Sequence, residues 1–146
     1  NTDCYGFEKS LNEFIGANTN INKAFVLGTG GSSKAVQYVL QKLKIPFTRV
    51  SRQRKPGCIS YPDIEGAMAT QNLFINTTPL GMYPAVDFCP EMPYEKLSRK
   101  DFLFDLIYNP AQTLFLKKGT EKGAKTKNGL QMLQLQAERS WEIWNQ

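Results

Sequence analysis

Apolar and polar positions alternate in blocks along this chain, and the period changes from block to block. Cys4, Phe7, Leu11, Phe14 and Ile15 share one stripe of a 3.6-residue period, which predicts an amphipathic helix that stops near Gly16. Asp3 stands where the N-cap of that helix is expected. The run KAFVLG at 23–28 is short, apolar and closed by glycine, as a buried strand is. In GSSKAVQYVLQKL the period changes, with Ala35, Val36, Val39, Leu40 and Leu43 at helical spacing. FTRVS at 47–51 then has the β-branched and aromatic content of a second strand. Strand, tight turn, helix and strand make one βαβ unit of about 30 residues.

The pattern continues with a polar, loop-like stretch at 52–61 and a short helix in DIEGAMAT. A strand is expected at 72–78, NLFINTT, before a connection punctuated by Pro79, Pro84, Pro90 and Pro93. DFLFDLIY at 101–108 reads as a further strand, ended by Asn109 and Pro110. A short helix in AQTLFLKKG, a small strand in GAKTK and a long terminal helix at 129–144 complete the series. Leu130, Leu133, Ala137, Trp141 and Trp144 form a stripe on that last helix at spacings of 3, 4, 4 and 3. Strands alternating with helices, with no internal repeat, predict an α/β fold: a Rossmann-like, open, mainly parallel sheet with helices on both faces.

Composition narrows the chemistry. The 146 residues suffice for one domain with a real core, and no apolar run approaches the roughly 20 residues that span a bilayer. Cys4, Cys58 and Cys89 are odd in number and lack metal-ligand spacing, so neither a disulfide framework nor a metal centre is expected, and a reducing cytoplasm is the expected setting. The chain contains no histidine, which removes Ser/His/Asp and Cys/His catalysis and every His-ligated metal. Proton transfer must fall to carboxylates, lysines, tyrosines or cysteine. The net charge of +5 is scattered except in TRVSRQRK at 48–55.

The densest chemical signal is VLGTGGSSKAV. Gly28, Gly30 and Gly31 lie between a strand and a helix, where missing side chains let backbone amides approach a pyrophosphate. Ser33 replaces the third glycine of the dinucleotide fingerprint, and a turn that uses its glycines only for backbone angles is the competing reading. About 20 residues on, NAD-binding folds carry an acidic residue for the ribose hydroxyls. Here the second strand ends in Ser51, Arg52, Gln53 and Arg54, with no carboxylate to repel a 2′-phosphate and a guanidinium able to bind one, which favours NADP. A solvated basic turn is the alternative, and nucleic-acid binding a weaker one, since no aromatic platform or recognised module accompanies the run. Thr77 and Thr78 end a strand and are placed to line the cofactor cleft. Asn76-Thr77-Thr78 matches a glycosylation sequon, but its place at the end of a buried strand argues against modification. Tyr108 also ends a strand, where core packing competes with a role in the site. Met132 and Gln136 flank the apolar stripe of the last helix and face a second surface.

Taken together, NTDCYGF, VLGTGGSSKAV, the SRQR turn, INTTPLGM, DLIYNPAQTLFL and GAKTKNGLQMLQLQAERSWEIW resemble the shikimate dehydrogenase family in the right order over nearly the whole chain. The resemblance implies NADPH-dependent reduction of 3-dehydroshikimate to shikimate, in aromatic amino-acid biosynthesis. It makes Gly28, Thr29, Gly30, Gly31 and Ser32 the pyrophosphate loop. Arg52 matches the arginine of the family's Asn-Arg-Thr turn, with Ser51 and Gln53 departing from its flanking residues and Arg54 adding charge beside it. Thr77 and Thr78 border the nucleotide, Ile107 and Gly129 fall where the family meets the nicotinamide, and Tyr108 and Gln136 reach the substrate. Asp3 becomes the catalytic carboxylate of an Asn-Thr-Asp motif that works with a lysine beside the substrate. In the family that lysine lies in an N-terminal substrate domain, before the motif.

Two expectations follow from the missing counterpart of that domain. Residues 1–146 are an NADP-binding domain, with 1–20 a linking helix, and this portion alone does not turn over dehydroshikimate. A quinate/shikimate dehydrogenase with looser substrate choice and a stand-alone, non-catalytic NADP-binding module are the rival readings.

Overall fold

In the computed structural model, which describes residues 1–146, the apolar runs become strands buried on both faces. Along β1 (Lys23–Leu27), Ala24 and Val26 pack on one side of the sheet while Phe25 and Leu27 pack on the other. β4 (Asn72–Asn76) and β5 (Phe102–Asp105) divide likewise: Leu73, Ile75, Phe102 and Phe104 go to the first side, Phe74 and Leu103 to the second. A strand covered on both faces has no polar alternate, hence the continuous apolar runs. β2 (Phe47–Val50), β3 (Cys58–Ile59) and β6 (Lys125–Lys127) complete a six-stranded sheet of order β3-β2-β1-β4-β5-β6, every pairing parallel.

α1 (Thr2–Ile15), α2 (Gly31–Lys42) and α5 (Leu130–Trp144) cover the first face, through Phe7, Leu11, Val36, Val39, Leu40 and Met132. α3 (Ile64–Ala67) and α4 (Leu114–Glu121) cover the second, through Ile64, Phe115 and Leu116. The chain runs outward from β1 to β3, then crosses back to β4. A crevice therefore opens beyond the carboxyl ends of β1 and β4, the point at which doubly wound sheets hold ligands. No helix is long and apolar enough to cross a membrane.

Several boundaries differ from the sequence pattern, each for a local reason. The stretch at 52–61 contains the short edge strand β3, and DIEGAMAT contributes only one helical turn. β4 and β5 stop earlier than their apolar runs because side chains intercept the ladder. Asn76 Oδ1 takes the Thr78 N–H at 3.0 Å and Asp105 Oδ1 takes the Ile107 N–H at 3.0 Å.

At the amino end, the N-cap is Asn1 and not Asp3: Asn1 Oδ1 accepts from the Asp3 and Cys4 amides at 2.8 and 3.4 Å. Asp3 instead lies in the first turn, where its charge suits the helix dipole.

The apolar stripe of α5 is not its packed face. Leu130, Leu133, Trp141 and Trp144 are 45%, 38%, 68% and 86% exposed, while Met132 is buried. The orientation is set at a close crossing with α1. A Cβ on Gly6 would stand 2.7 Å from both the Met132 carbonyl oxygen and Gln136 Cγ. Only a glycine there lets α5 turn Met132 and Gln136 toward α1.

Candidate cofactor site

Gly28 follows β1 with φ +110°, and a Cβ on it would meet Thr77 Oγ1 at 2.5 Å. Both the conformation and the close approach of β4 demand glycine there. Gly30 and Gly31 are different, because nothing lies within 4 Å of an added Cβ at either position. Their openness faces the N-terminus of α2, whose N-cap Gly30 provides no side-chain hydrogen bond. The first amides of that helix are thus left for an external acceptor, and the helix dipole favours an anion. Ser33, at the third fingerprint position, is fully buried and donates to the Gly30 carbonyl at 2.7 Å. It braces the loop from beneath instead of lining it.

The crevice is divided in two by Thr77, Thr78 and Pro79, which line both parts. Thr77 is pinned to β1, its hydroxyl donating to the Leu27 carbonyl at 2.6 Å and its amide at 2.9 Å. One part, a cleft of about 580 Å³, runs from Gly28, Thr29 and Gly30 past Ser51, Arg52, Gln53, Lys55 and Tyr61 to Phe88 and Glu91. The other, about 500 Å³, is bordered by Ser32, Met82, Tyr83, Ile107, Tyr108 and Asn109. Both fall within the roughly 300–1,000 Å³ of small-molecule sites.

The basic turn after β2 does not present all its charges to the cleft. Ser51 is buried and its hydroxyl accepts from the Gln53 amide at 3.2 Å, fixing the turn that holds Arg52 at the cleft wall. Lys55 lines the same wall and its Nζ donates to Thr29 Oγ1 at 2.9 Å, bridging the basic turn and the glycine loop. Arg54 is not among the lining residues. Its charge instead helps the Ser60 hydrogen bonds hold the Asp63 carboxyl below its ordinary range. Sequence reasoning singled out Arg54 and passed over Lys55, since direction within an irregular turn has no period to reveal it. Tyr61, beside Arg52, has its hydroxyl pushed up to about 12 by burial, so it remains a neutral wall.

Asp3, Tyr108 and Gln136 come together although 133 positions separate the first from the last. Gln136 Nε2 donates to Asp3 Oδ1. With Ser32, Gly129 and Met132 they line a hollow of about 180 Å³, which Tyr108 shares with the larger pocket around Ile107. Gly129 is joined to Ile107, its amide donating to that carbonyl at 3.0 Å.

Beneath the partition lies Asp105, a fully buried carboxylate. It accepts from Thr113 Oγ1 at 2.7 Å, the Ile107 amide at 3.0 Å and Asn76 Nδ2 at 3.2 Å. Burial nonetheless outweighs these donors and pushes its carboxyl up to about 6. An unfolded aspartate titrates near ~3.9, so between about pH 4 and 6 the folded chain binds more protons than the unfolded one and its stability rises as pH falls. Relative to Asp105→Asn, which cannot titrate, the wild type is expected to gain about 2 kcal/mol between pH 7 and pH 4. Urea unfolding of both proteins across that range measures it, and a constant difference refutes it.

A six-stranded parallel sheet of this order, a glycine loop leading into an uncapped helix and a cationic turn at the end of β2 define a fold of the Rossmann type. No family model matches the chain. It is, however, 39% identical over 159 residues to the shikimate dehydrogenase (NADP(+)) of Methanococcus aeolicus, a match that takes in 99% of this chain and 56% of that protein. Among solved structures, a chorismate mutase/shikimate 5-dehydrogenase fusion protein from Clostridium acetobutylicum superposes with a TM-score of 0.86 at 39% identity, covering 99% of this chain and 54% of that one. A shikimate dehydrogenase in complex with NADP+ superposes with a TM-score of 0.80 at 32% identity, covering 99% and 55%. The chain belongs to the shikimate dehydrogenase family, and it spans about half the length of the relatives it matches.

Proposed function

We propose that this chain is the NADP(H)-binding domain of a shikimate dehydrogenase, which reduces 3-dehydroshikimate to shikimate with NADPH in aromatic amino-acid biosynthesis. The observation that carries the reading is the cleft itself: open glycines and an uncapped helix N-terminus on one side, Arg52 and Lys55 on the other. The amides that open α2 would hold the pyrophosphate, and Arg52 and Lys55 the 2′-phosphate. The nicotinamide would lie across Thr77 and Thr78 toward Ile107 and Gly129. When bound, the reduced nicotinamide supplies the hydride for the carbonyl carbon. Gln136 orients the Asp3 carboxylate through one oxygen and leaves the other free for a lysine ammonium. A Lys/Asp pair so placed positions the proton that the developing alkoxide takes up. Tyr108 and Gln136 border the same hollow and would touch the substrate. The lysine belongs, in this reading, to the part of the relatives that the chain does not span. Residues 1–146 alone are therefore expected to bind NADP(H) and not to consume NADPH when given dehydroshikimate.

Calorimetric titration with NADP+ and with NAD+ tests the proposal, and equal affinities or no binding would count against it. Gly31→Ala separates a ligand site from a mere turn. An added Cβ touches nothing and alanine favours the helix, so the melting temperature should not fall. NADP+ affinity should drop about tenfold, because that Cβ occupies the space the pyrophosphate needs. Lys55→Ala is expected to weaken NADP+ about fivefold, an effect that shrinks as salt rises, and to leave NAD+ binding unchanged.

A further inference from the structure

Thr78 and Ile107 follow different strands, yet two buried side chains bonded to each other, Asn76 and Asp105, hold them in register. Asn76 Oδ1 accepts from the Thr78 amide at 3.0 Å and from its hydroxyl at 2.6 Å, while Asn76 Nδ2 donates to Asp105. Through the same Oδ1, Asp105 accepts from the Ile107 amide, and through Oδ2 from Thr113, the N-cap of α4. The backbone of both segments has left the sheet ladder at these points, so side-chain oxygens set where the partition ends and where the wall around Ile107 begins. Sequence reasoning assigned neither Asn76 nor Asp105 a part in the site, and both are fully buried, out of reach of any ligand.

We propose that Asp105 is the positioning residue of the nicotinamide side of the cleft, fixing Ile107 directly and Thr78 through Asn76. The inference rests on the cofactor reading above, and it assigns the two oxygens separate duties. Oδ1 serves the site. Oδ2 serves Thr113 at the start of α4, a residue that lines neither part of the crevice. The cationic side, built by Arg52, Lys55 and the glycine loop, stands on β1 and β2 and has no bond to Asp105.

The test compares NADP+ with adenosine 2′,5′-bisphosphate, which carries the 2′-phosphate but no nicotinamide, as ligands in calorimetry. Asp105→Ser removes the Oδ1 acceptor and is expected to cost NADP+ affinity about tenfold while the bisphosphate binds as before. Asp105→Asn keeps an acceptor toward Ile107 and turns its amide to Thr113, so NADP+ affinity should return to within about twofold of wild type. Thr113→Val cuts the Oδ2 arm and the cap on the Leu116 amide but leaves Oδ1 its partners; it should lower the melting temperature and spare NADP+. Asn76→Ala, a second route to the same loss, should again weaken NADP+ more than the bisphosphate. Equal loss of both ligands in Asp105→Ser and Asn76→Ala, or loss of neither, overturns the proposal and leaves Asp105 a scaffold group. A wild-type chain that binds the bisphosphate but gains nothing from the nicotinamide half, or binds neither, overturns the cofactor reading itself and this inference with it.

Discussion

Gly129→Ala is expected to destabilise the fold by about 3 kcal/mol or more, a large share of the ~5–15 kcal/mol that holds a domain of this size together. The backbone angles at Gly129, φ −86° and ψ 7°, suit any residue, so the cost is not conformational. It is steric. A Cβ there would stand 2.0 Å from the Leu106 carbonyl oxygen and 2.6 Å from its carbon, and both belong to backbone. That backbone has little room to yield. The Leu106 amide is bonded to the Asn76 carbonyl at 3.2 Å, and the Gly129 amide to the Ile107 carbonyl at 3.0 Å. The same glycine accepts from Leu133 in the first turn of α5. Relief of the clash therefore moves either the end of β5 or the start of α5, and Ile107, Tyr108 and Gln136 move with them. Denaturant unfolding reads the loss of stability, and a variant within about 1 kcal/mol of wild type would show that the joint is looser than its contacts imply. Gly129 thus earns its place by packing against Leu106, whatever contact its open face makes with a nicotinamide.

Arg52→Ala should weaken NADP+ binding by about 10- to 100-fold with no change toward NAD+, the range expected for a charge-assisted, bidentate contact to a phosphate. Arg52 is exposed and makes no ion pair with a carboxylate, so the substitution removes a ligand contact and leaves the fold untouched. Calorimetry with both nucleotides, at low and moderate salt, isolates the 2′-phosphate contribution. Arg54→Ala is the informative control: its side chain does not line the cleft and its loss should change neither affinity. If Arg54→Ala matched Arg52→Ala, the turn would contribute a diffuse positive field and not a directed contact, and the assignment of Arg52 would fail.

The parts of the fold readable from sequence were those with a local physical signature. A strand buried on both faces must be continuously apolar, and an amphipathic helix must repeat near 3.6, so β1, α2, β4, β5 and α1 stood out. The glycine loop was readable too, because Gly28 adopts a backbone angle that other residues resist and because β4 crowds it. β3 was missed because two residues at a sheet edge, set in a polar stretch, carry almost no pattern. The stripe on α5 misled because periodicity shows that a face is apolar but not that anything covers it.

By itself the sequence determined the glycine loop, the basic turn and, apart from β3, the order of strands and helices, since each depends on a few neighbouring residues and on backbone preference. It also carried, through motif resemblance, the candidate roles of Asp3 and Gln136. Only the tertiary structure decided that Gln136 donates to Asp3, that Lys55 and not Arg54 joins Arg52 at the cleft, and that Asp105 underlies the partition. Those outcomes depend on how strands and helices register against one another and on side-chain directions in irregular turns. Neither leaves a period in the chain.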